Sequence, residues 1–280
     1  MKQRILCILF IVLLLSACGS KQPQYSRAVE EIPDFSEKPY VVVNDNVPEF
    51  SDADLVTTAY EHYSELDDLG RCGFAMACVG VETMPTEERG AIGQVKPSGW
   101  QMIKYDFVDG KYLYNRCHLI GFQLTGENAN VRNLITGTRY LNVQGMLPFE
   151  NMVADYIKET GNHVIYRVTP VFDGDNLVAS GVQMEALSVE DDGEGICFHV
   201  YVYNNQPGVI IDYATGLSRV DENAQTGDTQ TYVLNTNTHK FHRTDCKNAG
   251  SIKKENREEY RGSRELLIAQ GYEPCGTCDP

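Results

Sequence analysis

Two groups of residues in this 280-residue chain have the types and spacing to do chemistry. The first centres on His118, which closes an apolar, strand-like run in YNRCHLIG (114–121), beside Arg116 and Cys117. A neutral imidazole titrates near neutrality and can take a proton from water. Asn142 lies 24 residues later in TRYLNVQG, a predicted short helix, beyond a loop rich in Gly and Asn. Strand, histidine, loop and helix is one way to set a base beside a metal. A cysteine next to a histidine also raises a cysteine-hydrolase reading. Adjacent strand residues point to opposite faces, however, so Cys117 and His118 cannot serve as a catalytic pair. The second group is His242-x3-Cys246 and Cys275-x2-Cys278, split by a 28-residue spacer. Its spacing suits a tetrahedral zinc site, with a Cys275–Cys278 disulfide or redox pair as the competing reading.

The elements that must position these groups can be read from periodicity. WQMIKYDF (100–107), the Asp109-Gly110 turn and KYLYN (111–115) predict a hairpin, with His118 at its tip. DADLVTTAYEHYSELDDLG (52–70) predicts a short helix closed by Gly70. NMVADYIKET (151–160) carries Met152, Val153, Tyr156 and Ile157 at helical spacing, with Gly161 as the stop. YVVVN, FAMACVGVE, HVIYRVTPVF, NLVASGVQMEAL and ICFHVYVYN predict strands. In the last, Ile196, Phe198, Val200 and Val202 alternate with Cys197, His199, Tyr201 and Tyr203, the pattern of a half-buried strand. Near the C-terminus, GSRELLIAQG (262–271) predicts a helix capped by Ser263 and stopped by Gly271.

Hydrophobic residues make up 42% of the chain and charged residues 22%, so it can bury an ordinary globular core. A net charge of −15 argues against a general nucleic-acid coat protein but leaves room for a local basic groove. Lys2 and Arg4 precede an apolar run from Ile5 to Leu15, too short to span a bilayer comfortably and laid out like an export signal. Leu15-Ser16-Ala17-Cys18 resembles a lipoprotein signal box. Residues 1–17 would be cut away and Cys18 would carry lipid, anchoring the protein at the outer face of the cell membrane; a plain signal peptide is the alternative. Residues 18–38 read as a tether, and DENAQTGDTQ (221–230) as a linker to a final unit at 231–280. Of nine cysteines, seven remain after Cys7 and Cys18, an odd number that leaves one free or some on metal.

Asn115-Arg116-Cys117-His118, the run from Arg132 through Thr136-Gly137-Thr138-Arg139-Tyr140 to Asn142, and Phe149-Glu150-Asn151 occur in that order. This ordered set resembles the non-specific DNA/RNA endonucleases of the ββα-metal (His-Me finger) fold, in particular the streptococcal DNA-entry and secreted-DNase branch. The likeness continues through YRVTPVF and GVIIDYATG. It implies an α+β domain over 39–220, with a ββα-metal core on an antiparallel sheet. It further implies His118 as general base and Asn142 as ligand of a hydrated Mg²⁺, for which Mn²⁺ can substitute. Glu150 would orient the waters around the cation, and Arg116 would meet the phosphate. Asn133 would position the His118 loop or the substrate, and Arg132 and Arg139 would bind substrate. DNA, and RNA with it, would be the partner. Two departures stand out: the motif aspartate is Asn115 and the motif glycine is Cys117, which could pair with Cys72 or Cys78 or stay a free thiol. Arg89 and Lys96 lie in a polar tract (84–100) that either lines the groove or is a solvated loop.

The final unit resembles the zinc-binding domain of the Ada methyl-phosphotriester repair protein, with His242 in place of the first of four cysteines. That change removes the methyl-accepting thiolate and leaves a small domain in which Zn²⁺ is structural. Residues 231–280 hold eight Lys/Arg and seven Asp/Glu, which makes this the less acidic end of the chain. Two rival readings remain: a surface lipoprotein that captures nucleic acid through a degenerate nuclease fold, and a zinc-dependent adhesin or scaffold. If the nuclease reading holds, hydrolysis should survive deletion of 231–280.

Overall fold

A computed structural model describes residues 32–36, 38–222 and 230–280. The signal peptide, Cys18, most of the tether and most of the linker expected from sequence lie outside these residues. Among the described residues no helix is long and apolar enough to cross a membrane.

Segments rich in β-branched and aromatic residues build one six-stranded sheet, as their preference for a pleated, packed surface dictates. Its members are β1 (Tyr40–Val42), β2 (Tyr60–Tyr63), β3 (Ala75–Val79), β6 (Val164–Val171), β7 (Gly181–Ser188) and β8 (Cys197–Tyr203), in the order β1-β8-β7-β6-β3-β2. Every pairing in it is antiparallel. A separate pair, β4 (Tyr114–His118) and β5 (Leu134–Thr138), runs antiparallel with His118 opposite Leu134. The short helix α1 (Phe122–Thr125) lies in the connection between them. After β5 comes a π-helical turn, Leu141–Met146, in which Leu147 N–H donates to the Asn142 carbonyl. It runs into α2 (Leu147–Thr160), which Gly161 closes at φ 74°. Two strands, one wide connection and a helix make the ββα unit. Two short strands, β9 (Val209–Ile211) and β10 (Ser218–Val220), follow as a small ribbon.

The apolar stripe of α2 decides where the core lies. Val153, Ala154 and Ile157 pack with Leu119, Ile120, Tyr166, Phe198 and Val200 into one continuous buried cluster. The position after His118 is therefore anchored in the core while the histidine faces the cavity described below. Leu→Ala at such a buried site costs about 2–5 kcal/mol.

Three sequence expectations give way. The strand at 197–203 is covered on both faces, not one. Phe198, Val200 and Val202 face the main core, while Tyr201 and Tyr203 pack with Ile32, Phe35, Val41 and Val43. The helix expected at 52–70 is absent: Tyr60–Tyr63 pairs with β3, because Leu55, Val56 and Tyr60 find an apolar site against Met76, Cys78 and Ile165. Tertiary burial outweighs the local helical pattern here. The hairpin at 100–115 is reduced to a turn around Gly110 and a single bridge between Lys104 and Tyr112. The true partner of the His118 strand is LITGT, whose two threonines and glycine carry little strand signal. A Cβ at Gly137 would run into the Cys117 sulfur, so the glycine makes room for the thiol. Cys117 is fully buried and, like Cys72 and Cys78, is a free thiol rather than half of a disulfide.

The C-terminal residues form a second sheet, β13-β11-β12-β14, from β11 (Gln230–Asn235), β12 (Lys240–Arg243), β13 (Arg257–Gly262) and β14 (Glu273–Pro274). Helix α3 (Arg264–Ala269) starts as expected at Ser263, whose hydroxyl accepts from Leu266 N–H at 3.2 Å. This unit does not stand apart. Tyr140, two residues before Asn142, is buried among Tyr232, Leu234, Phe241, Leu267 and Ile268. Gln144 also donates to the Ile268 carbonyl, and Asp109 N–H to that of Ala269.

Candidate active site

His118, Asn142, Glu150, Arg116 and Arg139 line one cavity of about 830 Å³, together with Arg89, Asn115 and Gln123. The ββα unit brings them together: β4 delivers Asn115, Arg116 and His118, the π turn delivers Asn142, and the first turn of α2 delivers Glu150. π turns of this kind recur at functional sites, because one extra residue in the turn re-aims the side chains after it.

His118 is 6% exposed. Its Nε2 donates to the Asn128 carbonyl at 2.7 Å, while Arg89 Nη2 approaches Nδ1 at 3.3 Å as a donor. These partners fix the tautomer: the proton sits on Nε2 and the lone pair of Nδ1 is presented to the cavity. Burial lowers the pKa of His118 below its ordinary 6.5; the Asn128 bond opposes this, and the Arg89 charge adds to it. The imidazole is therefore neutral, the form a base needs.

Asn142 Nδ2 turns toward Asn115 Oδ1 at 3.5 Å, which leaves the Asn142 amide oxygen for another partner. Arg139 Nη1 also approaches Asn115 Oδ1, at 3.4 Å, and its Nε donates to Asp109 at 2.8 Å. Asn115 Oδ1 is thus the shared acceptor for Asn142 and Arg139. Burial pushes the Glu150 carboxyl up to about 7, with Arg89 and a bond from Gln123 opposing it only in part. A carboxylate and two carboxamide oxygens around one cavity are hard oxygen donors, and the upward shift of Glu150 marks a place where added positive charge would keep it ionised. The donor set therefore fits a divalent cation. Gly121 is required for the approach: a Cβ there would lie 2.7 Å from a Glu150 carboxylate oxygen.

Three of the candidate site residues are engaged by partners within the protein. Asn133 is fully buried and clamps the backbone of Ile120, accepting from its N–H at 2.9 Å and donating to its carbonyl at 3.0 Å. It positions the turn after His118 and does not reach the cavity. Arg132 lies outside the cavity in an exposed ion pair with Glu65. Arg116 lines the cavity, but it donates to the carbonyls of Val95 and Gly93 and stacks over Trp100 at 4.0 Å, bracing the 93–100 loop. Sequence reading left the roles of Arg89 and Gln123 open or unassigned. Their loop and helix carry no motif, and only the folded chain sets them beside His118 and Glu150.

At the other end, His242, Cys246, Cys275 and Cys278 do converge. Their ligand atoms all lie within 4.8 Å of one another, with His242, Cys246 and Cys275 buried. Burial raises the Cys275 thiol, but backbone N–H groups of Thr277 and Cys278, together with Asn248, outweigh it and bring it down to about 6. Soft sulfur and imidazole donors closing on one point suit a tetrahedral ion.

Residues 53–190 match the model of the DNA/RNA non-specific endonuclease family. The magnesium-bound structure of NucA from Streptococcus agalactiae is 23% identical, with a TM-score of 0.60 over 69% of this chain and 94% of that one. The zinc-bound structure of the Sda1 nuclease is 28% identical, with a TM-score of 0.52 over 66% of this chain and 97% of that one. Among curated proteins none matches. Residues 53–190 thus match the DNA/RNA non-specific endonuclease family, and the large domain shares its fold with NucA and Sda1.

Proposed function

We propose that this protein is an exported, membrane-anchored endonuclease that hydrolyses phosphodiester bonds of DNA, and of RNA, with little sequence preference. The observation that carries the reading is the His118 tautomer: Nε2 tied to Asn128, and Nδ1, which accepts from Arg89, turned to a cavity that also holds Asn142 and Glu150. Nδ1 removes a proton from the attacking water, which adds to phosphorus in line with the 3′-oxygen. The P–O3′ bond then breaks, the 3′-oxygen takes a proton from solvent, and the products carry 5′-phosphate and 3′-hydroxyl ends. Arg89, released from Nδ1, is placed to meet the non-bridging oxygens, with Arg139 and the free edge of Arg116 beside it. A Mg²⁺ held by Asn142, with Glu150 and Asn115 near it, would supply Lewis-acid neutralisation of the charge on the scissile phosphate. Mn²⁺ offers the same oxygen preference. The four-residue thiolate and imidazole site would hold Zn²⁺ as a structural ion. Lipid on Cys18 and the tether would keep the enzyme at the outer membrane face, where extracellular nucleic acid is the substrate.

Plasmid cleavage in Mg²⁺, repeated in EDTA and with His118→Ala, tests the reading. Loss of cleavage in both is expected. Cleavage indifferent to both perturbations would overturn the mechanism, and binding without cleavage under every divalent ion would favour the nucleic-acid-capturing alternative.

A further inference from the structure

A second cavity, of about 690 Å³, lies where the C-terminal sheet meets the large domain. Arg139 and Val143 line both this cavity and the catalytic one, so the two share a wall. Lys38, Arg264, His239 and Tyr272 face it as well. The His239 and Tyr272 rings stack at 5.2 Å with only 15° between their planes. His239 is exposed and has a left-handed backbone, φ 50°. Its loop is pinned, because Asn235 Oδ1 accepts from the N–H groups of both Asn237 and Thr238. The His239 carbonyl in turn accepts from Glu273 N–H at 2.8 Å. The result is a rigid aromatic shelf with an open face, held without help from a ligand.

The acidic side chains around this shelf are spoken for. Asp109 pairs with Arg139 at 2.8 Å, Glu273 with Lys240 at 2.9 Å and Asp279 with Arg264 at 3.6 Å. Arg139 and Arg264 are taken up in the same pairs, and Lys38 adds an exposed cation at the cavity's edge. A preformed aromatic face with the Lys38 cation at its edge, sharing a wall with the His118 cavity, has the parts of a single-strand binding platform.

We propose that this interdomain cavity is a second substrate subsite: an unpaired nucleotide of the strand under cleavage stacks on His239 while its phosphate lies toward Lys38. The inference rests on the nuclease reading above. It gives the C-terminal unit a role in holding substrate, and it favours single-stranded segments, since bases in a duplex are already stacked on one another.

The test is binding of a fluorescent single-stranded oligonucleotide to the full chain in EDTA, so that no cleavage intervenes. His239→Gly removes the ring and suits the left-handed backbone, so the variant keeps its fold. It should weaken single-strand binding about tenfold, the scale of one lost base stack, and leave duplex binding unchanged. Lys38→Ala should flatten the salt dependence by about one phosphate contact. With Mg²⁺ present, His239→Gly should raise KM for long single strands, leaving kcat and dinucleotide cleavage as in the parent. Unchanged single-strand affinity in His239→Gly, or equal losses on single strand and duplex, overturns the proposal. If no substrate is cleaved in any divalent ion while His239→Gly still weakens single-strand binding, the nuclease reading fails and the binding subsite stands.

Discussion

The His118 cavity and the His242/Cys246/Cys275/Cys278 cluster both suit a cation, yet they are built on opposite plans. The first offers oxygen donors spaced around a wide, half-open cavity, with a neutral imidazole and arginines beside them. The second closes four soft donors to within 4.8 Å in a unit with a small core. An open hard site leaves room for solvent and substrate, whereas a closed soft site leaves room only for the ion. The contrast separates chemistry from cohesion. On the proposed function, metal in the first would affect rate, and metal in the second would affect whether the C-terminal sheet stays folded.

The sharpest way to break this contrast is at the base. His118→Ala should lower kcat by about 10³-fold with the melting temperature little changed, read by plasmid cleavage and calorimetry. A variant that instead unfolds would make His118 a core histidine. Next comes the soft site. Cys275→Ser, or a thiol-seeking chelator, should melt the 230–280 sheet and reduce cleavage by roughly tenfold, because Tyr140 shares that core and lies two residues from Asn142. The shared core sets this expectation against the separability expected from sequence; full activity after removal of 231–280 would favour separability. Asn142→Ala should raise the Mg²⁺ concentration needed for half-maximal rate, roughly tenfold, without touching the C-terminal sheet. A smaller effect is expected with pH. Because burial lowers the His118 pKa, the acid limb of kcat/KM should fall below pH 6.5, and a limb centred above 6.5 would contradict the buried, neutral base.

The smallest effect concerns neither site. His163 donates to Glu190 at 2.6 Å and to Glu82 at 3.0 Å, and the Glu190 bond raises its pKa, with burial opposing and Glu82 assisting. A raised folded-state pKa means the pair contributes fully below the unfolded value of 6.5 and fades as pH climbs through the folded value. Glu190→Gln should therefore lower the melting temperature slightly at pH 6 and not at pH 9.

Much of this could be read along the chain. The strands at 40–44, 74–82, 163–172, 176–187 and 196–204, the helix ending at Gly161 and the helix capped by Ser263 all carry their own periodicity or cap. The misses have a common cause. Residues 60–63 and 134–138 become strands because a neighbouring edge and an apolar site await them, and neither is visible in a local window. The same holds for Arg89, whose tract is an ordinary polar loop until it folds over His118.

By itself the sequence determined which chemistries were available: an imidazole at the end of a buried strand, carboxamide and carboxylate oxygens at set intervals, and four soft ligands with zinc spacing. Only the tertiary structure decided which nitrogen of His118 turns its lone pair to the cavity, that Asn133 clamps a backbone while Arg89 reaches the cavity, and that the C-terminal unit leans on the turn carrying Asn142. Side-chain type is a local property. Tautomer, pKa and shared walls are set by atoms brought close from distant parts of the chain, and those depend on how the whole packs.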